Sequence, residues 1–477
     1  MSLLLCCDFG STFTKLTVID CQAGEIVAAS RAFTTVDEGL MVGLGHGLDE
    51  IHKQCGVRDF DIRLAASSAA GGLKMVSSGL VPDLTAKASR LAAASAGAKV
   101  LKTYSYELTD SDTAEITKIS PDIILLSGGI DGGNKDVLLR NAASIAKIPG
   151  DFCVIIAGNR SAADEACELV ISGGKRVVVC ENVMPQFGRL NIEPAKNAIR
   201  ELFIKNIISA KGLDEAQRFM TAEIVPTPLA VFEAAKLLSE GINDHDGFQE
   251  GLGALMVFDL GGATTDVYSM ADGLPKNPQV YVQGLIEPFA KRTVEGDIGM
   301  RYSLAPMLDA IESDAGHNFY GTYGLAPEDV TAWRNICMAD PSALPVGEYE
   351  MYKPVEQALA TEAVRISMAR HVGFYETTYT PMGETIIQTG KDLTQVKYIV
   401  GTGGAIINSY AQKPSGECGS PLEILQAAVY SPRDLNLLKP QNPKLLLDKE
   451  YCFSAMGLLA QKFPRLALDM MKRKFNQ

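Results

Sequence analysis

Short apolar runs that stop at Asp, Gly or hydroxyl residues alternate along this chain with longer runs of helical period, the pattern of an α/β protein. Residues Met256 to Met270, MVFDLGGATTDVYSM, are apolar, break at an acid and two glycines, and resume with apolar or β-branched residues. Residues Cys7 to Val18, CDFGSTFTKLTV, do the same. Each predicts two strands joined by a hairpin turn rather than a strand running into a helix. Alignment pairs Asp8 with Asp259, Gly10 with Gly261, Thr14 with Thr265 and Lys15 with Asp266. A second pair in the same order, DIILLSGGI (Asp122 to Ile130) and KYIVGTGGAI (Lys397 to Ile406), suggests a duplicated α/β lobe.

Between these anchors the periodicity predicts an Ala-rich helix in Pro82 to Val100 and a buried strand in Arg176 to Val183. Asp151 to Val183 reads as a strand-helix-strand unit inserted in the first lobe. Helical patterns follow in EPAKNAIRELFIKNIISAKG and TPLAVFEAAKLLSEG, the second opening on Thr227-Pro228. Ile242 to Gly253 reads as a linker, and Tyr451 to Phe475 as one or two amphipathic helices that either close the core or cross between lobes. The expected division is lobe I over 1–250 with its insert near 151–183, lobe II over 254–450, and residues 451–477 returning to lobe I.

The 477 residues carry 44 Lys and Arg against 57 Asp and Glu, a net charge of −13. That balance gives no footprint for a nucleic-acid backbone. The start, MSLLLCCDFG, has no basic segment ahead of its apolar run, and Asp8 ends that run too early for a signal peptide, so a cytoplasmic protein without membrane contact is expected. The ten cysteines make no Cys-x-x-Cys spacing and the five histidines are isolated, so neither predicts a metal site. Neither phosphate-loop spacing is present. GLGHG at Gly43 to Gly47 comes nearest and reads as a flexible loop.

Chemistry concentrates at the repeated turns. Gly10, Gly261 and Gly262 would permit backbone conformations denied to other residues, letting N–H groups converge on a phosphate. Ser11, Thr12, Thr264 and Thr265 add hydroxyls. Asp8 and Asp259 end their strands beside these cradles, either as turn residues or as a pair facing Mg²⁺ and a nucleotide. Lys15 would approach a terminal phosphate and Asp266 orient water or metal, or each is a solvated strand residue. Gly401, Gly403 and Gly404 lack side chains that would block a base or sugar.

DFGSTFTK, DLGGATTD and GTGGA together resemble the two phosphate motifs and the adenosine motif of the actin, heat-shock chaperone ATPase and sugar kinase superfamily. That resemblance implies two ribonuclease H-like lobes around an ATP cleft. Longer matches, among them SSAAGGLKMV, LLSGGIDGGN, ENVMPQFGRLNIEPAKNAIRELF and KRTVEGDIGMR, resemble the accessory proteins of adenosylcobalamin-dependent glutamate mutase, the GlmL or MutL type. The mismatch-repair protein that shares the second name is unrelated. This resemblance implies a chaperone-like ATPase that opens a mutase so that damaged cobalamin leaves and intact adenosylcobalamin enters. The chain lacks a D-x-H-x-x-G cobalt-ligand motif, so it should act on the holoenzyme. By motif, Asp8 and Asp259 would hold Mg²⁺ through water, Ser11, Thr12 and Thr264 would contact ATP phosphates, and Gly403 with Gly404 would back the adenosine. Glu295 or Asp297 would reach ribose and Arg301 the base.

Three other functions share these features. They are a small-molecule kinase with Asp266 as its base, an activator of radical dehydratases, and a nucleotide-binding scaffold. For partner contact, Asp151 to Val183 and the aromatic-rich segment His317 to Trp333 are the candidates.

Overall fold

Seven consecutive buried residues make strand β1 (Leu3–Phe9), as a near-continuous apolar run does when a strand is covered on both faces. In this computed structural model, which describes residues 3–10, 13–34, 39–68, 74–208, 213–314, 316–380, 383–408 and 420–475, β2 (Phe13–Asp20) returns antiparallel, setting Asp8 opposite Lys15. β3 (Glu25–Phe33) extends the meander. On its other side β1 pairs in parallel with β4 (Ile62–Ser67), which pairs with the short strand Val225–Pro226. Helix α1 (Leu40–Cys55) packs on β2 and β3 and contains GLGHG, which is therefore no loop. Gly47 lets the helix close on the sheet, since a Cβ there would stand 2.5 Å from Leu16 Cδ1.

The chain forms two compact units, one of Met1–Ala69, Glu215–Val282 and Glu287–Gln477, the other of Ala70–Asp214 and Gln283–Ile286. The second holds β5 (Lys74–Gly79), β6 (Lys99–Ser105), β7 (Ile123–Leu126), β8 (Cys153–Ile156) and β9 (Arg176–Val179). All run parallel, in the order β6-β5-β7-β8-β9. Helix α2 (Lys87–Ser95) is the Ala-rich helix expected after β5. The strand-helix-strand of Asp151 to Val183 is present as β8, the helix Ala163–Ser172 and β9, but it is part of this larger sheet. β9 is an edge strand, with Arg176 and Val179 exposed rather than buried as expected, because β8 pairs with only one side of it.

The first unit contains a further sheet of β10 (Leu255–Leu260), β11 (Thr265–Met270), β12 (Ala290–Glu295), β13 (Tyr398–Thr402) and β14 (Lys444–Leu447). β10, β11 and β12 form an antiparallel meander, and β13 then β14 add in parallel beside β10. This repeats the β1 sheet strand for strand, and Asp259 stands opposite Asp266 as Asp8 does opposite Lys15. The duplicated ribonuclease H-like, actin-like topology is therefore visible in the strand order itself. The second pair of sequence anchors is corrected. β7 of DIILLSGGI lies in the second unit, and the strand equivalent to β13 is β4.

Two helices join the repeated sheets by exchange. α3 (Thr227–Glu240) follows the β1 sheet yet leans on β10 and β11, where Tyr268 Oη donates to Pro228 O at 3.3 Å. α4 (Cys452–Ala460) follows the β10 sheet yet leans on β1 and β4, where Cys6 Sγ donates to Ala455 O at 3.5 Å. α5 (Pro464–Phe475) packs against both helices. A core including Leu4, Leu64, Val257, Met270, Phe453 and Met456 fills the space beneath them.

Other expectations change. The linker Ile242 to Gly253 contains a hairpin of strands Gly241–Asp244 and Gly247–Glu250. In the segment His317 to Trp333, Phe319 and Trp333 are buried in the core beneath the β10 sheet and Tyr320 and Tyr323 pack half-buried against it, which removes the exposed aromatic interface expected there. Among the described residues no helix is long and apolar enough to cross a membrane, and the nine cysteines are free thiols.

α3 and α4 cross closely because Gly457 has no side chain, and a Cβ there would lie 1.9 Å from Ala230 O. Gly457→Ala should therefore destabilise the first unit by about 3 kcal/mol through overpacking, measured by urea unfolding. A variant as stable as the wild type would show that the crossing is not close.

Candidate functional site

The two hairpins close alike. Gly10 N–H donates to Phe13 O at 3.1 Å and Gly261 N–H to Thr264 O at 2.9 Å. Gly10, Gly261 and Gly262 do not have positive φ, so the expected need for a special backbone conformation is corrected. Space decides instead, because a Cβ on Gly10 would stand 2.6 Å from Phe13 O and one on Gly261 3.1 Å from Thr264 O. The Gly262 carbonyl accepts from Arg301 N–H and Tyr302 N–H at 2.8 and 2.9 Å, tying the turn to the segment after β12. Ser11 and Thr12 lie outside the described residues.

The paired threonines fasten these hairpins. Thr265 is fully buried with its hydroxyl donating to Ile298 O at 3.0 Å, and Thr14 is fully buried 3.1 Å from the Thr34 hydroxyl. Thr265 is thus turned from any ligand, and Thr264, half-buried at the turn, is the described hydroxyl placed to meet one.

The equivalent acids have different surroundings. Asp8 is buried, Oδ1 accepting from Thr227 Oγ1 at 2.6 Å and Oδ2 from Ser454 Oγ at 3.0 Å. Asp266 is buried against Arg292, whose Nη2 and Nε reach Oδ1 at 2.5 and 2.8 Å. Asp259, only partly open to solvent, takes no hydrogen-bond donor among the described residues. Its carboxyl is raised to about 7, chiefly by burial, with Lys15 drawing it down and the charges of Asp266, Asp8 and Asp448 pushing it up. A carboxylate without donors among other acids suits a cation, so the residues present fit Mg²⁺ at Asp259. Asp8, with both oxygens taken by hydroxyls, fits contact through water.

Asp448 is a site residue that the sequence reading missed. Buried at the start of α4, its Oδ1 accepts from Cys452 N–H at 2.8 Å and its Oδ2 from Phe453 N–H and Thr402 Oγ1, each at 3.1 Å. An acid four residues ahead of the apolar run CFSAMGLLA was the available signal.

Lys15 leaves its strand toward Tyr451, its Nζ 4.3 Å from the ring centroid. Tyr451 has φ +53° and its hydroxyl accepts from Asn408 Nδ2 at 2.7 Å, which joins the Lys15 strand to the Gly-Gly segment. Within that segment Gly403 has φ +94° and would bring a Cβ within 2.3 Å of Leu260 O, while a Cβ on Gly401 would meet Ile406 and Leu425 at 2.9 Å. These two glycines serve packing. Gly404, whose Cβ would meet nothing closer than Tyr451 Oη at 3.6 Å, leaves room for a ligand.

The remaining candidates are engaged elsewhere. Arg370 Nη1 donates to Glu295 Oε2 at 2.9 Å and to Asp297 Oδ1 at 2.7 Å. Arg301 is buried, with Nη1 donating to Glu356 at 2.8 Å and Nε to Ala343 O at 3.2 Å. Its expected contact with a base is therefore corrected to a structural ion pair.

A family model described as MutL protein matches residues 4–475. A curated relative, Protein MutL of Clostridium tetanomorphum, is 42% identical over 475 residues, covering 99% of each chain. The chain belongs to the MutL family. Among solved structures, this chain is similar to the ethanolamine utilization protein EutJ of Carboxydothermus hydrogenoformans, 13% identical with a TM-score of 0.27 over 98% of this chain and 90% of that one. The activator of the 2-hydroxyisocaproyl-CoA dehydratase of Clostridium difficile, with bound ADPNP, is 9% identical with a TM-score of 0.29 over 99% and 97%. At such scores neither bears on the site, and for this MutL-family chain the fold rests on its own strand order.

Asp259 yields a pH prediction. Its raised carboxyl holds a proton in the folded chain that the unfolded chain loses near pH 4, so this contribution to stability is present at low pH and lost as pH rises through 7. In chelator, Asp259→Asn should unfold at higher denaturant than the wild type at pH 8, by up to about 4 kcal/mol, the gap narrowing below pH 7 and closing towards pH 4. A gap independent of pH would contradict the isolation of this carboxylate.

Proposed function

We propose that this MutL-family chain is an ATP-dependent accessory factor that reactivates an adenosylcobalamin-dependent mutase, glutamate mutase first among them. The observation that carries the reading is the carboxylate of Asp259, which meets no donor among the described residues, beside two matched hairpins in a chain matched over residues 4–475 by the MutL family. ATP phosphates would lie between the turns at Gly10 and Gly261, with Thr264, Lys15 and the hydroxyls of Ser11 and Thr12 as donors and Gly404 against the nucleoside. Asp259 would hold Mg²⁺ directly, Asp8 through water. When bound, that ion offsets the repulsion between the triphosphate and the surrounding acids.

Nucleotide would turn the two sheets of the first unit about the α3–α4 crossing, and the Asp151 to Val183 segment of the second unit would contact the mutase. The kinase reading needs Asp266 as a base, and its ion pair with Arg292 speaks against that.

The test is a glutamate mutase inactivated by a tightly bound damaged cobalamin, given this protein and free adenosylcobalamin with or without Mg-ATP. Recovery should require ATP, and Asp8→Asn should lower ATP hydrolysis by roughly 10²-fold, since metal-assisted charge stabilisation is worth several kcal/mol. ATP turnover without any recovery would overturn the reactivation of this mutase.

A further inference from the structure

The second unit has a strand order that the ATP reading does not use. Its parallel strands follow the sequence order 2-1-3-4-5, so the connections leave in opposite directions from β5 and β7. In open α/β sheets, ligands bind at the carboxyl ends of the strands, at the point where the order reverses.

Ser127 to Asn134, SGGIDGGN, follows β7 at that point. Gly128, Gly129 and Gly132 have φ of 144°, 72° and 75°, and a Cβ on Gly129 would stand 2.3 Å from Asn134 O. Two buried asparagines hold this shape. Asn159 accepts from Gly132 N–H at 3.1 Å and donates to Gly133 O and Asn134 O at 3.0 Å. Asn182 donates to Gly129 O at 3.0 Å and to Asp131 Oδ1 at 2.9 Å.

Within this braced loop the backbone N–H groups of Gly128, Gly129 and Ile130 meet no acceptor among the described residues, although Gly128 and Gly129 are buried. Unpaired buried N–H groups are rare, and successive ones around a positive φ make an anion cradle. Beside them Leu80, after β5, lies 3.5 Å from where a Gly128 Cβ would stand. Tyr106, after β6, donates its N–H to Gly79 O and Leu80 O, has φ +67° and is 60% exposed. Strained backbone of this kind clusters at ligand sites, where the surrounding structure holds it.

We propose that the reversal point between β5 and β7 is a second ligand site, distinct from the proposed ATP site, for a phosphate ester whose sugar or sugar-alcohol chain bears a flat ring. The N–H groups of Gly128, Gly129 and Ile130 take the phosphate oxygens, and the ring lies across Leu80 against Tyr106. Flavin mononucleotide and the nucleotide tail of a cobalamin share this chemistry.

Amide hydrogen exchange of residues 127–134 in the full chain tests it, with flavin mononucleotide, adenosylcobalamin or inorganic phosphate added separately. At least one ring-bearing probe should slow exchange in this segment about tenfold or more, and whichever does so names the source. Leu80→Glu, which places a carboxylate at the mouth, should abolish the effect. Tyr106→Gly, which relieves the positive φ, should weaken protection by the ring-bearing probe while the chain stays folded. No slowing by any probe, or equal slowing in a Leu80→Glu variant that melts like the wild type, would overturn the site. Slowing by inorganic phosphate alone would overturn its assignment to a ring-bearing ligand.

Discussion

The first unit is organised around the two hydrogen bonds on the Asp8 carboxylate. One oxygen accepts from Thr227 at the start of α3, the other from Ser454 in the first turn of α4. Each helix follows one of the repeated sheets and leans on the other, so this single buried acid is bonded to both partners of the exchange. A buried carboxylate is tolerated only when its oxygens are satisfied, and here the satisfying groups are the ends of the two elements that join the sheets. The absence of a side chain at Gly457 allows α3 and α4 to approach closely enough for that geometry.

Duplication made the hairpins equal in backbone and unequal in chemistry. Asp8 faces Lys15 and is saturated, whereas Asp259 faces Asp266 and meets no donor among the described residues. Asp266 is neutralised by Arg292, and Asp448 is consumed by the start of α4. What remains is one open acid in a field of paired ones, with Lys15 as the cation that lowers its carboxyl. The first copy of the motif therefore serves the joint between sheets and leaves Asp8 to meet a cation only through water, and the second offers the place for direct contact.

The local features were legible in the sequence because hairpins depend on near neighbours. Alternation and a Gly-rich turn are enough to announce β1-β2 and β10-β11 as hairpins, and the structure adds the register that sets Asp8 opposite Lys15 and Asp259 opposite Asp266. Long-range features were not. Gly-Gly after an apolar strand recurs wherever a parallel strand ends, so DIILLSGGI was matched to the wrong partner, and the second unit was read as an insert of 151–183 when its sheet begins at Lys74. Arg301 carries the same charge at a base as in an ion pair with Glu356, and only the fold distinguishes them. Thr265 was misjudged for a similar reason, since strand pairing alone does not tell which hydroxyl of Thr264-Thr265 points inward.

The most direct test of the account is a double-mutant cycle on Thr227→Val and Ser454→Ala, read by urea unfolding of the first unit. Each single change leaves Asp8 one hydroxyl partner, and the double change strands a buried carboxylate. If Asp8 joins the two helices, the double variant should lose about 1 kcal/mol or more beyond the sum of the singles. Additivity within about 0.5 kcal/mol would mean that the two hydroxyls act separately and that Asp8 is not the joint.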